Sequence, residues 1–185
     1  MPSSAGSERG GSCRGFTLIE VVVSFSALLI VLLGFSRMIL SSRMASATTH
    51  EATLAKEAAR SRLETLRDAT FAEIFARYNA NPADDPDGPG TASGAAFAVR
   101  GLEAPAGDAD GLPGLIVFPE QAGALREDLV LPHLFGAISD LDNDGNTDSL
   151  DHAGDYRLLP VVVRVEWAGP GGNGKVEFRS VLGSF

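Results

Sequence analysis

The chain moves through three patterns of apolar and polar positions. Residues 16–36, FTLIEVVVSFSALLIVLLGFS, are apolar on every side of a helix, with Glu20 as the single charge. A helix of that length spans roughly 30 Å, the thickness of a bilayer's hydrocarbon core. An all-round apolar helix is buried or lies in lipid, and lipid suits this chain. From residue 37 the pattern narrows to a stripe. Ala55, Ala59, Leu63 and Leu66 recur at helical spacing, while Glu57, Arg60, Arg62, Glu64 and Arg67 fall mainly on other faces. No proline interrupts the run and Gly34 is its only glycine. The spacing predicts one helix from residue 16 to about 69, on the order of 80 Å long.

Residues 70–185 read as a small α+β unit. Thr70-Phe71-Ala72-Glu73 fits a capping box, and Phe71, Ile74, Phe75 and Tyr78 predict a second helix over 71–78 whose aromatics enter a core. Residues 79–94 form a turn-rich loop. Strands are expected at 96–102, 115–118, 125–131, 157–167 and 175–182. In the fourth, Val161, Val163 and Val165 face one way, and Val162, Arg164 and Glu166 the other. The fifth is its antiparallel partner across a glycine-rich hairpin, and Pro160 belongs at the strand's start or on an edge. Gly169-x-Gly171-x-x-Gly174 mimics a dinucleotide fingerprint, but a strand follows it where a helix is required.

Composition excludes several function classes. Lys and Arg number 15 against 24 Asp and Glu, a net charge of −9, which argues against nucleic acid as a partner. Cys13 is the only cysteine, so there is no intramolecular disulfide and no Cys₂ or Cys₄ metal site. His50, His133 and His152 match no zinc-protease pattern. There is no serine elbow, no phosphate loop with lysine and no cysteine nucleophile, so the chain reads as a non-enzyme.

Three readings compete for the N-terminal segment. Ala45-Ser46-Ala47 could end a cleaved secretory signal, but the apolar run is long and arginines intervene. A plain uncut anchor explains the length but not a carboxylate inside the run. The third reading explains Glu20. Arg14-Gly15-Phe16-Thr17-Leu18-Ile19-Glu20, followed by small, hydroxylated or apolar residues to Gly34, resembles the class III signal of type IV pilins and type II secretion pseudopilins. The resemblance implies that prepilin peptidase cuts between Gly15 and Phe16, removing residues 1–15 in the cytoplasm, and methylates the new N-terminus. It implies a transmembrane and assembly half at 16–36, an amphipathic half at 37–69 and a globular domain at 70–185. It also implies a pilin-like fold, with the long helix packed on a small antiparallel sheet. Insertion is then single-pass in the inner membrane with the C-terminal domain in the periplasm. Partners are other pilin-like subunits, met through the N-terminal helix. Glu20 falls at the family's fifth mature position, where a neighbour's N-terminal amine can meet it. Such a pair at 4 Å is worth roughly 4 kcal/mol at an effective dielectric of 20, before desolvation.

Residues 140–151, DLDNDGNTDSLD, have the spacing of a calcium loop. Asp140, Asp142 and Asp144 stand at positions 1, 3 and 5, with Gly145 at the sharp turn. Asn146 offers a backbone carbonyl at 7, Asp148 stands at 9 and Asp151 at 12. Asp at the last position resembles the dockerin-type variant. Leu131-Pro132-His133 breaks any preceding helix, so a single structural calcium loop is expected ahead of the long strand.

Two functions follow. The first is a minor pilin or pseudopilin that joins or primes a pilus or secretion pseudopilus. The lack of the paired C-terminal cysteines common in major pilins favours the minor branch. The second is a membrane-anchored periplasmic calcium-binding module that never polymerises. A hydrolase built on the acidic cluster is weaker, because those acids serve better as calcium ligands.

Overall fold

The structure, a computed structural model, describes residues 15–130 and 140–184. The leader residues 1–14, with Cys13, and the expected break at Leu131-Pro132-His133 lie outside the described residues. The chain divides into two compact units, Met1–Arg43 and Met44–Phe185, and helix α1 (Leu18–Asp68) contributes to both.

In the first unit the helical residues are bare. Phe16 is 81 % exposed, and the large apolar side chains from Leu18 to Leu40 are all exposed. The window has a mean hydropathy of 2.6, long and apolar enough to cross a membrane. Two of its serines bond within the helix. Ser26 donates to the Val22 carbonyl (2.8 Å) and Ser36 to that of Leu32 (2.9 Å), so neither brings an unmet polar group into an apolar medium.

In the second unit Ala55, Ala59, Leu63 and Leu66 are the buried face of α1, as the stripe predicts. They share one core with the sheet valines and with Ile74, Phe75 and Tyr78. A four-stranded antiparallel sheet has the order β1 (Ala96–Phe97), β2 (Gly114–Val117), β5 (Leu158–Gly169), β6 (Gly172–Gly183). β3 (Glu120–Gln121) and β4 (Ala124–Leu125) form a separate hairpin. The helix is held across one face of the sheet, from the β5–β6 half to the β1 edge. Glu51 accepts the indole N–H of Trp167 on β5 (3.1 Å), and Arg60 stacks over Phe178 on β6 at 5.6 Å. At the β1 edge Arg62 lies 4.8 Å from the ring centroid of Phe97.

Val161, Val163 and Val165 are fully buried, while Arg164 and Glu166 keep partial exposure. The β5–β6 hairpin is tighter than its glycines suggest. Gly169 pairs with Gly172, and only Pro170 and Gly171 make the turn. Gly174 is required by packing, since it pairs with Trp167 and a Cβ there would enter the indole. Pro160 sits inside β5, opposite Val181. It has the parity of Glu166, whose amide donates toward the β2 side, to the Pro113 carbonyl (2.8 Å). β2 ends opposite Val162, so the missing N–H removes no ladder bond.

Three expectations are corrected. Thr70 makes no side-chain cap; its carbonyl takes the Glu73 amide (2.9 Å) in a 3₁₀ turn, Phe71–Glu73, before α2 (Ile74–Tyr78). The strand expected over 96–102 stops at Phe97, because a turn closed by Leu102 N–H to the Val99 carbonyl (3.2 Å) runs through left-handed Gly101. The strand expected over 125–131 is replaced at Glu127–Leu129 by a 3₁₀ turn, and its last residue lies outside the described residues.

Candidate functional site

The N-terminal site is built by a helix start. Thr17 precedes α1, and its hydroxyl accepts the Glu20 amide (3.3 Å). Thr17-Leu18-Ile19-Glu20 therefore has the residues of a capping box. Gly15 and Phe16 lie before the helix, exposed, with nothing within 4 Å of a Cβ built on Gly15. The Gly15–Phe16 bond is thus in exposed chain ahead of the helix. Glu20 is in the first helical turn and exposed. The macrodipole favours a carboxylate there.

The second candidate is the acidic loop. Gly145 turns at φ 93° and Asn143 also takes a left-handed conformation at φ 63°. Asp140 accepts the amides of Asp144 (3.1 Å) and Gly145 (2.9 Å), and Asp144 accepts that of Asn146 (2.7 Å). Leu141 is fully buried and pins the loop to β5, its carbonyl accepting the amides of Arg157 (2.7 Å) and Leu158 (2.9 Å).

The predicted ligand set is only partly assembled. Asp140 and Asp142 converge with Glu127, and Asp148 converges with Glu127 and His152. Asp142 also converges with His152 and Asp155. Within each trio the ligand atoms lie within 4.8 Å of one another. Asp144 is outside these trios, its carboxylate accepting from the backbone amide and the side-chain amide of Asn146. Asp151 turns away, accepting the amides of Leu125 (3.0 Å) and Ala153 (3.1 Å). Glu127 reaches Asp140 and Asp142 from a distant 3₁₀ turn.

Glu127 is 2 % exposed. Its two oxygens accept the amides of Leu141 (2.6 Å) and Asp148 (3.0 Å), one near each end of the loop. His152 is 4 % exposed, with Nε2 3.2 Å from Asp148 Oδ1 and Nδ1 3.2 Å from Asp155 Oδ1. Burial opposes the imidazolium, but Asp148, Glu127 and Asp155 together outweigh it and hold the His152 pKa above its ordinary value. Burial, and then the Asp144 and Glu127 charges, push Asp142 up, although the Asp144 amide and His152 draw it down. The Leu150 amide, helped by His152, holds Asp148 down against desolvation. These buried acidic and histidine groups could hold a metal ion. Glu127, His152 and Asp155 were not legible as ligands. Glu127 stands well before the loop with no motif spacing, and only its burial identifies it.

Residues 11–36 match the family described as the prokaryotic N-terminal methylation motif, the signature of type IV pilins. No curated protein and no solved structure matches the chain. The matched segment contains Gly15, Phe16 and Glu20 and runs through the exposed apolar part of α1. In that signature, and in its long N-terminal helix and small antiparallel sheet, the chain is pilin-like.

Proposed function

We propose that the chain is a minor pilin or pseudopilin subunit. Prepilin peptidase removes residues 1–15 and methylates Phe16, and the mature protein joins or primes a pilus or a secretion pseudopilus. The observation that carries this reading is the methylation motif over residues 11–36, with Glu20 as the only charge between Phe16 and Ser36. Before assembly the bare apolar helix needs lipid, which a single-pass position in the inner membrane supplies, with the globular unit in the periplasm. In the filament, packing against sister helices replaces lipid. Glu20 then meets a neighbour's N-terminal amine and sets the register between subunits, since a lone carboxylate in that setting costs a few kcal/mol.

Calcium at the acidic loop is the second part of the proposal. Glu127, Asp140 and Asp142 gather hard oxygen donors, and Ca²⁺ takes six to eight oxygens. Its role is structural, fixing the loop that leads into β5.

Mass spectrometry of the N-terminus of protein recovered from membranes tests the assembly reading. A chain beginning at N-methylated Phe16 is expected, and one beginning at Met1 refutes it. Glu20→Gln should insert into the membrane normally and be missing from the sheared filament fraction.

A further inference from the structure

We propose that Glu127, Asp148 and His152 form a site for a divalent transition metal of the zinc class, which shares Glu127 with the all-oxygen group of Asp140 and Asp142 but differs from it in its imidazole. The donor set is the first argument. Imidazole is a poor partner for Ca²⁺, which takes oxygen, and a good one for zinc, which takes histidine and carboxylate together.

Geometry is the second. Tetrahedral ligands at zinc distances lie about 3.4 Å apart. His152 Nε2 is 3.2 Å from Asp148 Oδ1 and 3.8 Å from Glu127 Oε2. These separations straddle that value, so small side-chain movements admit the ion. Three protein ligands leave a fourth position for water. Asp148, whose side chain is 42 % exposed, is the way in for the ion, while Glu127 and His152 close the inner side.

The third argument is the other face of the ring. His152 Nδ1 lies 3.2 Å from Asp155 Oδ1. A carboxylate on the far nitrogen fixes the tautomer, turns Nε2 to the metal and raises its basicity. Asp155 is therefore a positioning residue. The ring is also anchored through the backbone, since the His152 amide donates to the Leu125 carbonyl (2.8 Å).

The site does not depend on the assembly reading, and its test separates it from the calcium reading. Full-length protein in detergent is stripped with chelator and dialysed against zinc chloride in the presence of excess calcium. One zinc per chain is expected by elemental analysis. His152→Gln should weaken zinc binding by more than about 100-fold, and Asp155→Asn by roughly 10–100-fold, the range of an outer-shell partner. Asp140→Asn removes an oxygen donor outside the zinc set and should keep zinc, so a failed calcium loop leaves this result standing. A double variant, His50→Gln with His133→Gln, should retain one zinc through the remaining imidazole, which decides the matter even if His152→Gln does not fold. Overturning results are no stoichiometric zinc in the wild type, or loss of zinc in the double variant.

Discussion

Glu127→Gln is the sharpest test of how the acidic loop is held. The Glu127 carboxylate is buried and accepts from Leu141 at 2.6 Å and from Asp148 at 3.0 Å. Glutamine keeps one carbonyl oxygen and turns an NH₂ toward the other amide, so a donor faces a donor. One charge-assisted hydrogen bond is lost and one buried N–H has no acceptor, a cost of about 2–3 kcal/mol. Relief of repulsion from Asp142, whose pKa Glu127 helps to raise, offsets a small part. A domain of this size loses about 2–4 °C per kcal/mol, so the melting temperature should fall by roughly 4–12 °C. Glu127→Ala should fall further, since it abandons both amides and leaves a void. The assay is thermal unfolding of the full chain in detergent, followed by circular dichroism, with chelator present so that no cation contributes. Glu64→Gln, at an exposed helix position, is the control and should change stability by no more than about 0.5 kcal/mol. If Glu127→Gln melts within a degree of that control, the carboxylate does not tie the loop and the account of the site is wrong.

Calcium should raise the melting temperature of the chelated protein, by the equivalent of about 2.7 kcal/mol at one hundred times its dissociation constant, and an unchanged value removes the calcium reading. Glu177 gives a pH dependence. Lys175 (2.9 Å) and Arg164 (2.9 Å) hold its carboxyl below the ordinary value of 4.5. Its contribution is present above that value and disappears as pH falls through the folded-state pKa. Glu177→Gln should lower stability at pH 7 by about 0.5–1 kcal/mol after screening, and the gap from wild type should close in acid; a gap that widens there contradicts the sign. Gly174→Val should drive a side chain into the Trp167 indole and cost at least about 1–3 kcal/mol, read as a lower melting temperature and a shifted tryptophan emission.

The elements legible in the sequence are those whose signal is periodic and local. The stripe at Ala55, Ala59, Leu63 and Leu66 and the alternation through Val161–Val165 each repeat over enough residues to fix a face, and both sets are buried. The two-residue strands had no such signal. β1, β3 and β4 exist because longer neighbours or a tight turn recruit them, and Ala122 and Gly123 at φ 54° and 86° form such a turn. Spacing along the acidic loop foresaw the Gly145 turn but not the arrival of Glu127 beside Asp140 and Asp142. A linear motif cannot report that Leu125, far away in sequence, claims Asp151 through its amide while Glu127 two residues later takes over the loop.

That exchange bears on why an acidic protein would hold its acids so close together. Glu127, Asp140, Asp142 and Asp148 repel each other in a setting where Glu127 has almost no water. What holds them is backbone: amides of Leu141, Asp144, Gly145 and Asp148 all point into the cluster. Amides are partial positive charges and neutralise only part of the excess, so a cation has a place there energetically. The same backbone gives that cation its reach. The Leu141 amide holds Glu127 while the Leu141 carbonyl holds the amides of Arg157 and Leu158, where β5 begins. β5 in turn pairs along its whole length with β6. An ion that orders the loop therefore orders the entrance to the sheet's longest hairpin, and the loop's chemistry is a lever on the fold instead of an ornament on its surface.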